Sequence, residues 1–479
     1  MKGAQMVRLG DVAESMKNGI YKSKDAYADD GIPCLRMYNI EAGGIVWRDI
    51  KRMTLTAQEL TDYGLESGDL LVNRVNSREL VGKTALITQS VGHCVFESKN
   101  IRVRLRRDLA EPAYVNYALL GFGHAHFDRN AQQVVGMASI SQPQVAAFEL
   151  TWRPLEQQRE VVAYLDEQLS RLDASVAALH RVQANLKRYR ASVLKAACEG
   201  RLVPTEADVA RGESRSFETG AQLTKRILAS RRTDGKLRKE PFDPETSGLS
   251  ALPDGWAWTT LQHVGSIVGG LTKNPKRESL PVKLPYLRVA NVYANELRLD
   301  QIEHIGVAAS ELDKLLLLKD DLLVVEGNGS PEQIGRVALW NGSIAPCVHQ
   351  NHLIKIRLHG VDPRWVLYWL LSPQGRTQIE RVTSSTSGLH TLSTGKVSAL
   401  RIPLPPLAEQ HRIVAEADRR LSLIRTAEAQ VAANLVRAQR LRQSILQAAF
   451  SSPGSGDRQR LQDAKSNVHS DITHITEKC

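Results

Sequence analysis

From Leu155 to Cys198 the chain contains neither proline nor glycine, and its apolar residues recur at alternating spacings of three and four. Val162, Leu165, Leu169, Leu172, Val176, Leu179, Leu186, Val193 and Ala197 define one stripe, which continued also takes in Gln183 and Arg190. A second stripe, Val414, Ala417, Leu421, Ile424, Val431, Leu435, Ala438, Ile445 and Ala449, includes Glu428 and Arg442. Heptads sustained over this length predict two long helices with a coiled-coil seam. At 1.5 Å per residue each is roughly 66 Å long. Two such helices in one chain pair most simply with each other, as an intramolecular antiparallel coiled coil. The alternative is that each helix packs separately on its own domain, and the length over which the heptads persist is what discriminates against it.

Elsewhere the pattern is short and strand-like. Val7 to Val12 alternates, and Leu70-Leu71-Val72 and Ile101 to Leu105 read as strands bounded by polar turns. Asn18-Gly19, Asn328-Gly329 and Asn341-Gly342 are turn dipeptides. Pro112 to Leu120 and Pro363 to Leu371 open with proline and run apolar at helical spacing, as expected where proline occupies a first helical turn. Each globular part is therefore α/β or, with segregated elements, α+β, and its sheet is expected to be curled.

The two halves repeat each other. Pro33-Cys34-Leu35-Arg36-Met37-Tyr38-Asn39-Ile40 returns as Pro285-Tyr286-Leu287-Arg288-Val289-Ala290-Asn291-Val292 (285 − 33 = 252), and Gly68-Asp69-Leu70-Leu71-Val72 returns as Asp320-Asp321-Leu322-Leu323-Val324. Pro154 to Leu169 pairs in the same register with Pro406 to Leu421. So long a period means duplicated domains, since solenoid units run only ~20 to 50 residues. The expected division is 1–153 and 257–405 as globular domains, 154–200 and 406–450 as long helices, 201–256 as a linker with a short helix near Leu223, Ile227 and Leu228, and 451–479 as a polar, disordered tail. The basic cluster Arg231-Arg232 in that linker reads as a solvated face.

Composition narrows the function. The net charge of +11 favours an anionic partner, nucleic acid first. Five scattered cysteines (Cys34, Cys94, Cys198, Cys347, Cys479) suit neither a disulfide framework nor a zinc ribbon, which points to a reducing cytoplasm. No apolar run approaches the ~18 residues of a membrane span, and the amino terminus leads into a charged stretch unlike a signal peptide.

Several motifs carry a resemblance. Pro154-Leu155-Glu156-Gln157-Gln158 and Pro406-Leu407-Ala408-Glu409-Gln410, Ala196 to Leu202, Leu284 to Val292, Glu326-Gly327-Asn328-Gly329-Ser330 and His349-Gln350-Asn351-His352, in this order and doubled, resemble the specificity subunit of a type I restriction-modification enzyme. The likeness spans nearly the whole chain. It implies two target-recognition domains that each read one block of an asymmetric, bipartite DNA site, with the helices setting a nonspecific spacer. It also implies no catalytic centre in this chain and no cofactor bound by it. The implied partners are double-stranded DNA, two methyltransferase subunits and restriction or translocase subunits, which would use S-adenosylmethionine, ATP and Mg²⁺. At about 3.4 Å per base pair a 66 Å rod spans at most about twenty pairs. The competing readings are an autonomous nuclease or methyltransferase, and a coiled-coil scaffold without DNA function.

Catalytic motifs are weak. Gly82-Lys83-Thr84 has Ser77 where a phosphate-binding loop needs its first glycine, and its counterpart is Gly335-Arg336-Val337. Asp69, Glu97 and Lys99 imitate a nuclease triad, yet Gln350 and His352 stand at the second copies of Glu97 and Lys99. His124 and His126 read as a surface pair rather than metal ligands. Arginine and lysine suit guanine edges and phosphates, and Asn and Gln suit adenine. The candidate DNA contacts are Lys22, Lys24, Arg74, Asn76, Arg78 and Lys83 in the first domain, and Lys273, Asn274, Lys276, Arg277, Asn328, Ser330, His349, Gln350 and Asn351 in the second. Arg36 and Arg288 are duplicated and read as structural or phosphate-clamping.

Overall fold

The computed structural model describes residues 5–89, 92–134, 136–235, 237, 241, 248–328, 333–386 and 389–451. The side chains of Lys24 and Asn328, all of Ser330 and the tail 452–479 lie outside the described residues. The chain divides into two compact units, Met1–Val182 with Ala429–Cys479, and Gln183–Glu428. Both divisions fall inside the two long helices, Leu155–Cys198 and Leu407–Ser451.

In the first unit the central sheet consists of β1 (Ala13–Asn18), β2 (Leu70–Asn73), β3 (Thr84–Leu86) and β4 (Asn100–Leu105), in spatial order β1-β4-β2-β3 and antiparallel throughout. In the second unit β5 (Gly265–Gly269), β6 (Leu322–Val325), β7 (Val337–Leu339) and β8 (Leu353–Leu358) repeat it in the order β5-β8-β6-β7. Each unit adds small sheets of two or three strands, one of which contains a parallel pair: Cys34–Leu35 beside Val95–Phe96, and Tyr286–Leu287 beside Val348–His349. The segment Val7 to Val12 departs from its alternating pattern. After the short strand Met6–Arg8 it turns into a helical turn, Leu9–Val12, because burying Leu9 and Val12 three apart needs one helical face.

Sequence-identical devices hold both frames. Asp69 takes two hydrogen bonds from Arg104 at 2.8 and 2.9 Å, and Asp321 takes two from Arg357 at 2.8 and 2.7 Å. Asn39 accepts from the Arg36 amide and donates to Val46 and Arg48 carbonyls, while Asn291 accepts from the Arg288 amide and donates to Arg298 and Gln301 carbonyls. The duplicated motif around Arg36 and Arg288 is thus first a folding motif.

The long helices are packed antiparallel within each unit. In the first, Thr151 donates to the Phe450 carbonyl at 3.0 Å, and further along Asp173 pairs with Arg442. In the second, Arg190 pairs with Glu428 at 2.5 Å, and Val193, Leu194, Ala197 and Cys198 share a core with Ile413, Val414, Ala417, Leu421 and Ile424. Of the seam residues, Leu165, Leu169, Leu172, Leu179, Leu421, Ile424 and Val431 are buried, and Val176 and Leu435 are half-buried. Val161, Tyr164 and Gln168 are buried beside the seam, giving this end of the first helix a wider covered face than a two-helix seam needs.

Among the described residues of 201–256 there are two helices, Glu206–Gly212 and Gly220–Thr233, and the latter contains Leu223, Ile227 and Leu228. Leu223 and Ile227 enter the core of the second unit. Arg231 is not a solvated charge: it is buried and donates to the carbonyls of Gln262 and His263 at 2.6 and 2.9 Å. The four described cysteines are free and buried, and burial pushes each thiol up to about 12. No helix among the described residues is long and apolar enough to cross a membrane.

Candidate nucleic-acid interface

At one end of each central sheet three connections meet, and backbone hydrogen bonds lock them together. In the first unit Ile20 donates to the Phe96 carbonyl at 2.9 Å, Ser98 to Ile20 at 2.9 Å, and Arg74 to Lys99 at 2.8 Å. In the second Leu271 donates to His349 at 2.8 Å, Asn351 to Leu271 at 2.9 Å, and Glu326 to His352 at 2.8 Å. The approach is close enough to demand glycine. A Cβ at Gly19 or Gly270 would lie 2.2 Å from the carbonyl oxygen of Glu97 or His349. A hairpin flanks each cluster: Gln132–Val134 with Met137–Ser139, and Ser384–Thr386 with Leu389–Thr391. Each hairpin extends onto the strand that follows residue 74 or 326.

The structure gives the described sequence candidates different work. Asn76 is buried, donates to Asn73 and accepts from the Ser77 amide, so it shapes the turn. Arg277 is only 15% exposed, makes two bonds to Glu311 at 2.9 and 3.0 Å, and donates to the carbonyls of Thr272 and Gly306. His349 is fully buried; desolvation, with Lys355 nearby, pushes its pKa down to about 4, so it is neutral at pH 7. Gln350 accepts from the Val289 amide at 3.3 Å, just as Glu97 accepts from Met37 at 2.9 Å. These side chains spend hydrogen-bonding capacity inside the fold, which sequence spacing alone does not reveal.

Other candidates stay near solvent, several in ion pairs. Lys22 pairs with Glu59 at 2.7 Å, Arg78 with Asp128 at 2.7 Å, and Lys273 with Glu303 at 3.3 Å. Arg288 also reaches Glu303, at 2.6 Å. Asn274 is exposed and contacts the Thr272 carbonyl, Lys276 is exposed, and Asn351 is half-buried. Lys83 is half-buried, and desolvation lowers its pKa. Arg74 is half-buried, with its Nε enclosed and without a hydrogen-bond partner. Lys24, Asn328 and Ser330 were candidates whose side chains lie outside the described residues.

Sequence reasoning missed three residues at these surfaces. Tyr21, beside Lys22, is 85% exposed. Tyr293 lies under two guanidiniums, Arg298 at 4.0 Å and Arg336 at 4.8 Å from its ring centre. Glu326 occupies the position of Arg74 in the second copy, and burial raises its pKa. The 252-residue register is the signal that finds Glu326; an exposed tyrosine has no such signature.

The look-alike catalytic motifs are consumed by the frame. Asp69 is bound by Arg104, and Glu97 accepts from the Met37 amide. Gly82 adopts φ +82° and Thr84 is buried against Asn116 at 3.2 Å, so that segment is a turn entering β3. His126 contacts the Gln144 carbonyl at 3.0 Å and packs edge-on against Phe127 and Phe148. Among the described residues no group of three His, Cys, Asp or Glu side chains could hold a metal ion.

Residues 253–426 match the family model of the type I restriction modification DNA specificity domain. The chain is 26% identical over 458 residues to the type I restriction enzyme StySPI specificity subunit of Salmonella potsdam, covering 92% of this chain and 87% of that protein. It is 25% identical over 471 residues to the EcoKI specificity subunit of Escherichia coli strain K12, covering 94% and 89%. A chain from a solved structure of complex assembly in the type I R-M system superposes with a TM-score of 0.59 at 19% identity, covering 94% of this chain and 98% of that one, and so shares the fold. A frame duplicated in detail and two clusters of loops at equivalent strand ends go together with similarity, along nearly the full length of the chain, to type I restriction enzyme specificity subunits.

Proposed function

We propose that this chain is the DNA-sequence specificity subunit of a type I restriction-modification complex. Each unit reads one part of an asymmetric, bipartite site separated by a nonspecific spacer. The chain directs two methyltransferase subunits and the restriction subunits to that site and has no catalytic role alone. S-adenosylmethionine, ATP and Mg²⁺ serve those partners.

The observation that carries this reading is the duplication of a hydrogen-bonded frame whose strand ends bear unlike side chains. A twofold homodimer presents the same residues to both half-sites and reads a palindrome. One chain with two divergent copies can read two different sequences. Sequence is read by side chains at base edges, while register on the duplex is set by phosphate contacts.

Expression of the chain with and without a type I methyltransferase subunit, followed by genome-wide mapping of methylated adenines, tests the proposal. A split, gapped motif that requires both proteins is expected. Methylation by either protein alone, or a continuous motif, would sink it.

A further inference from the structure

Arg74 and Glu326 hold the same place in the two frames, 252 residues apart. Each is the single residue between a central strand, β2 or β6, and the short strand that pairs with the flanking hairpin. Each backbone is pinned twice. The Arg74 amide donates to the Lys99 carbonyl at 2.8 Å and its carbonyl accepts from Ile140 at 2.9 Å; the Glu326 amide donates to His352 at 2.8 Å and its carbonyl accepts from Leu392 at 2.7 Å. The main chain is therefore held in the same way in both copies at this position, where the side chain differs.

That difference is a reversal of chemistry at a half-buried position. Arg74 offers only donors, and its Nε is enclosed without a hydrogen-bond partner. Glu326 when ionised offers only acceptors, and burial that raises its pKa gives its carboxylate reason to gain from an incoming donor. Neighbouring candidates such as Arg78, Arg277 and Lys22 already face carboxylates. The frame keeps one residue type at Asp69 and Asp321 and at Asn39 and Asn291, whereas at 74 and 326 the charge is reversed.

Resting on the specificity-subunit reading, we propose that residues 74 and 326 are equivalent base-reading positions: Arg74 donates to the O6 and N7 edge of a guanine in one half-site, and Glu326 accepts from the N4 amino group of a cytosine in the other. Arginine and carboxylate are matched to these major-groove edges. The fixed backbone holds each side chain at one base pair of its half-site.

Variants at the two positions test this with the partner methyltransferase present. Glu326→Gln replaces one acceptor oxygen by a donor and suits adenine, so the half-site read by the second unit should lose its preference for one cytosine by about ten-fold or more and admit adenine there. The half-site read by the first unit should not change. Arg74→Gln should do the converse at one guanine, and Arg74→Lys, which keeps the charge, should relax that position while leaving modification detectable. Unchanged motifs in these variants, loss of both half-sites together, or a change confined to another base pair overturns the assignment. A wild-type chain that directs no gapped motif would instead remove the specificity-subunit reading on which the assignment stands.

Discussion

His349 illustrates how a single side chain ties this fold to pH. It looks like a polar, DNA-facing residue in the run His349-Gln350-Asn351-His352, but parallel pairing with Tyr286–Leu287 turns it into the core. Its Nε2 lies 3.5 Å from the Val268 carbonyl, and its Nδ1 is buried without a partner. The folded state therefore keeps it neutral, with the pKa at about 4 against 6.5 ordinarily. Below pH 6.5 the unfolded chain takes up a proton that the folded chain refuses, so stability is lost as pH falls from about 6.5 to 4 and the loss is complete below that. The shift corresponds to about 3 kcal/mol. His349→Leu removes the titration and the buried Nδ1 together. Urea unfolding of both proteins from pH 7 to 4 should show a shallower decline in the variant, and parallel profiles would refute this role.

At the scale of elements, one glutamine begins each long helix and fastens it to its domain. Gln158 accepts from the Glu111 amide at 2.9 Å and donates to Leu109 and Arg153 carbonyls; Gln410 accepts from the Asp362 amide at 2.9 Å and donates to the Pro405 carbonyl at 2.9 Å. About two turns further along, Asp166 takes a bond from Tyr117 and Asp418 takes one from Tyr368. Gln410→Ala leaves buried backbone groups unsatisfied at a cost of about 1–3 kcal/mol. The Asp362 amide should then exchange faster in deuterium while protection in β6 persists; equal exchange at Asp362 would show that the glutamine is not the fastener. The Gln-rich helix starts and the heptads were legible because helical periodicity repeats over many turns. The central strands were legible in part, since Leu70–Asn73 and Asn100–Leu105 are long enough to show a pattern. Two-residue strands such as Val95–Phe96 were not, because their pairing is set by tertiary contacts. The same reason hid the burial of Arg231, whose acceptors are about thirty residues away.

For the whole molecule the sequence shows the duplication and an excess of 63 basic over 52 acidic side chains, but not how that excess is used. Several basic residues at the candidate surfaces already face a carboxylate, including Lys22, Arg78, Lys273 and Arg277. A cation that keeps its carboxylate neighbour neutralises a phosphate poorly and displaces fewer counterions, so DNA binding should depend on salt less steeply than a charge of +11 suggests. Arg78 offers the clearest case: it is 61% exposed, and Asp128 holds it through a 2.7 Å contact and has its own carboxyl pushed below the usual range by that contact. Asp128→Asn frees the guanidinium and removes a negative charge while keeping the side chain's shape. If Arg78 lies at a phosphate, affinity for the cognate duplex should rise at low salt, and the plot of log affinity against log salt should steepen by about 0.9. Preference among sequences should be unchanged, because a phosphate contact carries no base information. Titrations of the methyltransferase complex across a salt series measure both quantities. An unchanged slope places Arg78 away from the DNA backbone, and a changed motif makes it a base reader instead.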